Sequence, residues 1–305
     1  MATLAQHVRP KQKSTLQRRE TIDAYLFLSP WLIGFVVLVA GPMLGSIALT
    51  MMRWDLIGDP AWVGMANFRR VMRDPLVRVS LMNTAFYTFL SVPLTLAVSL
   101  GTALLLNQRL RFQSVFRTFF YLPSVVPAVA NALVWLWILN PDVGLANSIL
   151  NFFGLPDLLW IYDRSLAKPT FIILTLWGVG NTMIVFLAGL QGIPQSLYEV
   201  ADIDGANWWQ RFRHVTLPML SPVILFNLII GIIGSFQVFT SAFILTNGGP
   251  QNATLFTVLY IYRLGFEQNN MGVASAVAWI LFLIILIFSL IQLRLSRSWV
   301  YYEGE

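Results

Sequence analysis

The sequence predicts an all-α membrane protein with six transmembrane helices, and three observations carry that prediction. The chain of 305 residues is 57% hydrophobic and only 11% charged, where soluble domains carry roughly 25% charged residues. Its apolar residues gather in runs of about 20, the length a helix needs to cross the hydrocarbon core of a bilayer. None of those runs holds an Asp, Glu, Lys, Arg or His in its interior.

Six runs meet the requirement, at 24–52, 79–107, 118–139, 169–191, 221–245 and 272–293. They divide the chain into a basic cytoplasmic N-terminal segment (1–23), one transmembrane domain (24–295) and a cytoplasmic tail (296–305), with no internal repeat or linker. The first 20 residues are too polar for a signal peptide, so the first run is expected to remain as a span. Arg9, Lys11, Lys13, Arg18 and Arg19 cluster ahead of it, which reads as a topology signal facing anionic headgroups. With both termini inside, the cytoplasmic segments hold 12 Lys and Arg and the outer segments 8, the sign that the positive-inside rule requires. Five of the outer ones, Arg53, Arg69, Arg70, Arg73 and Arg78, lie between the first two spans, interleaved with Phe68, Val71, Met72, Leu76 and Val79. That spacing predicts an amphipathic helix along the membrane surface.

Chargeless spans disfavour a proton- or ion-coupled carrier, whose path is marked by ionisable groups at membrane depth. The polar groups present are neutral, and many of them, Asn83, Thr182 and Asn227 included, read as hydrogen-bonding glue between helices. Ser235, Gln237, Thr240 and Ser241 are different, because they place four polar groups in seven positions of the fifth span. Trp177 and Asn181 lie one helical turn apart on the fourth, and Asn131 sits in the third. These seven residues are expected to line a pathway for an uncharged, hydroxyl-rich ligand. Amides and hydroxyls would satisfy its hydrogen bonds, and an aromatic face would cover its C–H surface.

The loop between the fourth and fifth spans, 192–220, concentrates acid: Glu199, Asp202 and Asp204 are three of the chain's 14 carboxylates in six positions. Ser196 followed by Glu199 has the spacing of a capping box. Gly205 is placed to stop the helix in a left-handed conformation. Asn207 would cap a second short helix through Trp208, Trp209, Phe212 and Val215, ending before Pro218. The loop therefore reads as helix, turn, helix standing in water, with its aromatics bracing it against the bundle. Nucleic-acid reading is excluded, since Arg211 and Arg213 are its fixed positive charges and three acids would repel phosphate. Small residues at Ala201, Gly205 and Ala206 permit close approach, which suits a docking knob better than a plain elbow.

These residues carry a resemblance. Glu199-Val-Ala201-x-x-Asp204-Gly205-Ala206, then Phe212 and Val215-x-Leu217-Pro218, resembles the EAA motif of the membrane subunits of bacterial ABC importers. Val200 stands where the family usually has Ala. Trp62-Val-Gly64-x-x-Asn67-Phe68, Tyr121-Leu-Pro123 and Leu245-Thr-Asn247-Gly248-Gly249-Pro250 are similar to the carbohydrate-uptake branch, the maltose-type and glycerol-phosphate-type permeases. The likeness covers nearly the whole chain from about residue 24. It implies a type I ABC importer permease fold with a coupling helix at Glu199–Ala206 that docks in an ATPase cleft. By the resemblance, Glu199, Ala201, Asp202, Asp204, Gly205, Ala206, Phe212 and Pro218 couple the chain to ATP hydrolysis. Glu199 would serve as cap and contact, Asp202 as partner-facing surface and Asp204 as part of the turn. The implied partners are a second homologous permease forming a heterodimer, two ATPase subunits that bind ATP and Mg, and an extracytoplasmic sugar-binding protein. The implied setting is a bacterial or archaeal cytoplasmic membrane.

What the chain lacks fits that division of labour. It has no Gly-x-x-x-x-Gly-Lys-Ser/Thr phosphate loop, and its lysines are Lys11, Lys13 and Lys168. It has no cysteine for thiolate or metal chemistry. His7 and His214 lack companion ligand spacing, and the Asn252-Ala-Thr254 sequon reads as chance. The chain is therefore expected to be a transport subunit without a cofactor of its own rather than an enzyme. The substrate expected is a neutral di- or oligosaccharide. The alternatives are a phosphorylated polyol such as glycerol phosphate, which would need a cation from the partner permease, and a stand-alone secondary carrier.

Overall fold

The computed structural model describes residues 15–108 and 111–301; His7, Arg9, Lys11 and Lys13 of the basic segment and the last four residues of the tail lie outside the described residues. The chain divides into two units, Met1–Leu49 and Thr50–Glu305. The described residues of the first unit form one apolar helix, α1, which runs through Thr15–Phe35, a π turn at Val36–Ala40 and Gly41–Thr50, its last residue falling in the second unit.

The second unit opens with a hairpin that the all-helical expectation did not include. β1 (Met52–Arg53) and β2 (Ala61–Trp62) pair antiparallel, Met52 opposite Trp62. Gly64 adopts φ +57°, and its N–H reaches Met51 O at 3.1 Å. Buried Asn67 then donates to Thr50 O (2.9 Å) and Met52 O (2.8 Å). The Trp62–Phe68 motif is thus a clasp that closes the hairpin. α2 (Ala66–Arg73) follows as the expected amphipathic helix, with a packing partner that the sequence did not show. Val71 is only 2% exposed, packed into the main core beside the last helix. Its apolar edge is covered by protein, while Met72 and the arginines stay outside.

α3 (Pro75–Leu106) is the central helix, packed against most of those that follow. Asp74 caps it by accepting from Leu76 N at 2.8 Å, and Pro75 at the first turn needs no donor partner there. The next three spans are interrupted. α4 (Gln113–Val125) and α5 (Ala128–Ile138) meet at 97°, and α7 (Arg164–Trp177) and α8 (Gly180–Gln191) at 48°. α11 (Ser221–Phe236) and α12 (Thr240–Leu245) are parted at 237–239. α6 (Leu145–Phe152) lies in the connection before α7. α13 (Thr257–Tyr262) runs into a π turn, Arg263–Glu267, and α14 (Met271–Ser296) closes the bundle. Four helices are long and apolar enough to cross a bilayer, six if each bent pair is one span. The expected six segments are therefore present, but the third, fourth and fifth are broken helices. Val126 takes extended backbone ahead of Pro127, as the proline ring demands of its predecessor.

One charge also enters a span. The fourth begins at Arg164, five residues earlier than its apolar run, so Lys168 lies in its second turn. Its Nζ donates to Asn83 Oδ1 at 3.1 Å and sits 5.1 Å from the Phe86 ring centroid. Asn83 in turn donates to Asn252 O (2.7 Å) and Leu255 O (3.2 Å). The Leu245–Pro250 motif belongs to this packed loop, where Gly248 holds φ +79° against Leu255 and Leu259.

The core is densest at two levels. Tyr87, Phe171 and Phe256 cluster at one end, with ring centroids 5.2 and 5.7 Å apart. Leu106, Met183, Phe186, Leu190 and Leu220 fill the end nearer the 192–220 loop. Between lipid-exposed helices there is little hydrophobic drive, so close fit and hydrogen bonds must hold them. Gly180 shows the fit: a Cβ there would lie 2.7 Å from Phe120 O and 2.8 Å from Tyr121 Cα. Gly180→Ala is therefore expected to lower the unfolding midpoint in detergent by an amount equivalent to ~1–3 kcal/mol, the usual cost of overpacking. A second prediction concerns the head of α7. Asp163 Oδ1 accepts from Ser165 Oγ (2.5 Å), Ser165 N (2.7 Å) and Leu166 N (3.2 Å). Those bonds, the Ser165 hydroxyl's foremost, hold its pKa below the ordinary carboxylate value. A depressed folded pKa gives stability that is complete above the unfolded value of about 3.9 and lost as pH falls through the folded one. Asp163→Asn should flatten that acid limb of the stability profile.

Candidate functional site

The three helix breaks converge. One cavity of ≈ 380 Å³ is lined by Ala128 beside the first break, Gly178 at the second, and Val238, Phe239 and Thr240 at the third. Irregular backbone at membrane depth is tolerated where it lines a cavity or is buried in protein, and discontinuous helices commonly build substrate sites in transporters. The second and third breaks keep their backbone bonds short-range: Gly178 N–H reaches Thr175 O at 3.1 Å and Gln237 N–H reaches Gly234 O at 3.1 Å.

Three of the seven residues expected on the pathway, Asn131, Thr240 and Ser241, line this cavity. Trp177 lies edge-on to Trp135 at 5.8 Å, and Trp135 is part of the lining. The Trp135 indole N–H is buried and finds no hydrogen-bond partner among the described residues. Ser235 lines a neighbouring cavity of ≈ 270 Å³. Asn181 and Gln237 are exposed and line neither; Asn181 accepts from Ser124 Oγ at 3.4 Å. Trp177 and Asn181 also do not share a helix face, because the break at 178–179 separates them. Sequence reasoning missed Tyr87, Trp135 and Thr175 in the lining. Two are aromatic residues of a kind that abounds in any membrane span, so composition alone gave them no contrast. No charged side chain lines either cavity.

At the other end of α8 and α11 stands the 192–220 loop. α9 (Gln195–Ile203) starts from Pro194 with no side-chain cap, so the expected Ser196–Glu199 capping box does not form. Proline at that position supplies the turn into the helix by itself, and Glu199 is left exposed. The stop is as expected. Gly205 takes φ +72°, Ala206 N–H reaches Ala201 O (2.9 Å) and Gly205 N–H reaches Asp202 O (3.1 Å), the paired bonds of a Schellman turn. Asp204 is the C-cap residue. The capping box lies instead in α10 (Trp208–Arg211): Gln210 N donates to Asn207 Oδ1 (3.0 Å) and Asn207 N donates to Gln210 Oε1 (2.7 Å).

Two further expectations are corrected here. α10 does not end before Pro218 but continues through a π turn, Phe212–Thr216, into Leu217–Met219. The π turn shifts the register so that Pro218 falls in the first turn of the next piece, where its missing N–H costs little. Asp202 does not present a free carboxylate, because it pairs with Arg211 at 2.5 Å and ties α9 to α10. The aromatics brace each other, Trp208 on Phe212 at 5.7 Å and Trp209 on Phe212 at 5.5 Å. Tyr198, Val215 and Met219 pack against the bundle's core at Leu106, Phe186 and Leu190, and the Tyr198 hydroxyl meets Thr216 Oγ1 at 3.0 Å within the loop. Beside α9 runs a groove of ≈ 690 Å³ whose lining includes Val200, Ala201, Gly205, Ala206, Pro218 and Tyr301.

A binding-protein-dependent transport system inner membrane component is the family description that matches residues 94–301. The chain belongs to that family. It is a multi-pass membrane protein and a transport component. Its relatives include a probable ABC transporter permease protein, YesP, of Bacillus subtilis (strain 168), 39% identical over 96% of each chain. The trehalose/maltose transport system permease protein MalF of Thermococcus litoralis is 33% identical over 93% of this chain and 97% of its own. A crystal structure of a bacterial alginate ABC transporter, in complex with alginate pentasaccharide-bound periplasmic protein, contains a chain that superposes with TM-score 0.82 at 26% identity, covering 92% of this chain and 95% of that one.

Gly205 gives a clean test of the turn. Gly205→Val should cost ~1–2 kcal/mol in that left-handed conformation, detected as faster proteolysis of the 192–220 loop, whereas Gly205→Asn, which tolerates it, should stay near the parent.

Proposed function

We propose that this chain is one permease half of an ATP-driven importer for an uncharged di- or oligosaccharide. It works with a second, homologous permease, two ATPase subunits that hold ATP and Mg, and an extracytoplasmic binding protein that delivers the sugar. The observation that carries the reading is the convergence of three broken spans on one chargeless cavity offering amide, hydroxyl and indole groups. At ≈ 380 Å³ it lies within the ~300–1,000 Å³ range of small-molecule sites. The relatives named for trehalose/maltose, arabinooligosaccharides and lactose support the substrate class.

An acidic sugar is the second reading, favoured by the solved relative that imports the acidic polysaccharide alginate. Lys168 is the cation that would serve it. Its ammonium, however, is engaged by Asn83 and Phe86 and lines neither cavity. Neutral substrate is the better fit.

Coupling runs through the groove beside α9. Its small residues, Ala201, Gly205 and Ala206, let a partner surface come close, and Glu199 supplies an exposed carboxylate for a basic group. The Schellman turn and the Asp202–Arg211 pair make α9 and α10 one stiff piece. A push on that piece reaches α8 and α11 directly, so closure of the two ATPases would drive the bundle from inward-open to outward-open. Both termini then lie on the cytoplasmic side.

The test is purification in mild detergent with identification of co-purifying chains, then reconstitution in liposomes. A second permease and an ATPase should accompany the chain, and sugar uptake should require ATP. Uptake by the isolated chain without ATP would replace the proposal with a secondary carrier. In the same assay, Glu199→Lys should lower ATP-driven uptake by roughly tenfold, as loss of about 1.4 kcal/mol of docking energy would, while sugar delivery by the binding protein is unaffected.

A further inference from the structure

The second cavity shares α3, α7 and the 237–239 break with the first and extends along α8 and α11 toward the 192–220 loop. Where the first is lined by Phe171 to Gly178 and Val238 to Leu245, the second is lined by Thr175 and Thr182, Asn227 to Val238, and Tyr87 to Leu96 of α3. α8 and α11 both continue from it to the loop. The two cavities share three lining residues, Tyr87, Thr175 and Val238. The Tyr87 and Thr175 hydroxyls meet at 2.7 Å and so form a hydrogen-bonded wall between the chambers.

The second chamber has a mostly apolar surface into which polar side chains are set. It gathers hydroxyls and amides from three helices, namely Ser91 and Thr95 of α3, Thr182 of α8, and Asn227 and Ser235 of α11. Thr95 Oγ1 is buried and finds no partner among the described residues. A buried hydroxyl left without a partner is destabilising, so a ligand hydroxyl that reached it would supply a bond the protein alone does not. At ≈ 270 Å³ the chamber is just below the ~300 Å³ lower end of small-molecule sites, which suits a single sugar ring rather than a chain.

We propose that the importer holds its sugar at two successive stations. The chamber lined by Ser91, Thr95, Thr182, Asn227 and Ser235 is the second, an uncharged polyol site entered when the Tyr87–Thr175 pair parts. This rests on the substrate path proposed above and deepens it. The hydroxyl pair is a suitable gate because its two members lie on different helices, α3 and α7. A passing sugar hydroxyl can replace either partner while the pair is broken.

The absence of cysteine from the chain makes a direct test available. Ser241→Cys reports the first chamber and Ser235→Cys the second, each introduced alone into the assembled importer in nanodiscs. Each is modified with a small neutral thiol reagent in the presence and absence of maltose, lactose or arabinotriose. The expected result is that the same sugar slows modification several-fold at both positions, and that Tyr87→Phe raises the rate at which reagent reaches Ser235→Cys from the first chamber's side. Protection at Ser241→Cys with none at Ser235→Cys overturns the second station and leaves the proposed function standing. Protection at neither overturns both. Protection at both with access unchanged by Tyr87→Phe retains the station and removes the gate.

Discussion

Everything in this fold depends on one constraint: within a bilayer no water is available to backbone N–H and C=O groups, so each must be satisfied by the protein. α3 meets it as an unbroken helix of 32 residues. The third, fourth and fifth spans do not, and the way they fail is ordered. Their breaks at 126–127, 178–179 and 237–239 face the same cavity, so the irregular backbone is gathered in one place. An interruption scattered elsewhere would expose polar groups to lipid. The site is therefore where the chain can afford to be irregular, and the irregularity is what brings polar side chains from three spans together.

The bundle is held by contacts of two different strengths. Helices approach closely at Gly180 and Gly189, where a Cβ would meet a neighbour within 3 Å, and those contacts fix the register of α8 against α4 and α11. Along α3, by contrast, runs a seam of hydroxyls: Thr84 meets Thr257 at 2.9 Å, Tyr87 meets Thr175 at 2.7 Å and Ser99 reaches Val179 O at 3.4 Å. Such bonds are individually weak and have alternative partners one turn away on their own helix. A seam of this kind can part and re-form, whereas the glycine contacts cannot change without unpacking.

The loop outside the bundle obeys different rules because it stands in water. Its order comes from short-range hydrogen bonds, the Schellman turn at Gly205 and the Asn207–Gln210 box, and from an exposed ion pair that contributes at most ~1 kcal/mol. It joins the bundle through Tyr198, Val215 and Met219, which pack on the core at Leu106, Phe186 and Leu190, and the tail returns at the head of α11, where Tyr301 N donates to Ser221 Oγ at 2.8 Å. Local interactions make it stiff, and few contacts tie it down, which is the mechanical character a transmitting element needs.

The six spans, the Gly205 stop and the Asn207 cap were legible in the sequence, because hydropathy, left-handed glycine and side-chain capping act over a few residues and leave local traces. Asn131, Thr240 and Ser241 were also recognisable as neutral polar groups where apolar ones are the norm. Tertiary structure decided the rest. The breaks in three spans come from packing around a shared cavity, and only Pro127 announced one of them. Pairing of Tyr87 with Thr175 and of Lys168 with Asn83 joins residues more than 80 positions apart, beyond any periodicity. Asp202 looked free and is paired, while Glu199 looked capped and is free, because Pro194 and Arg211 compete for roles that spacing alone assigned to Ser196 and to a partner. Short-range chemistry is written in neighbouring residues; which faces meet is settled only when the helices pack.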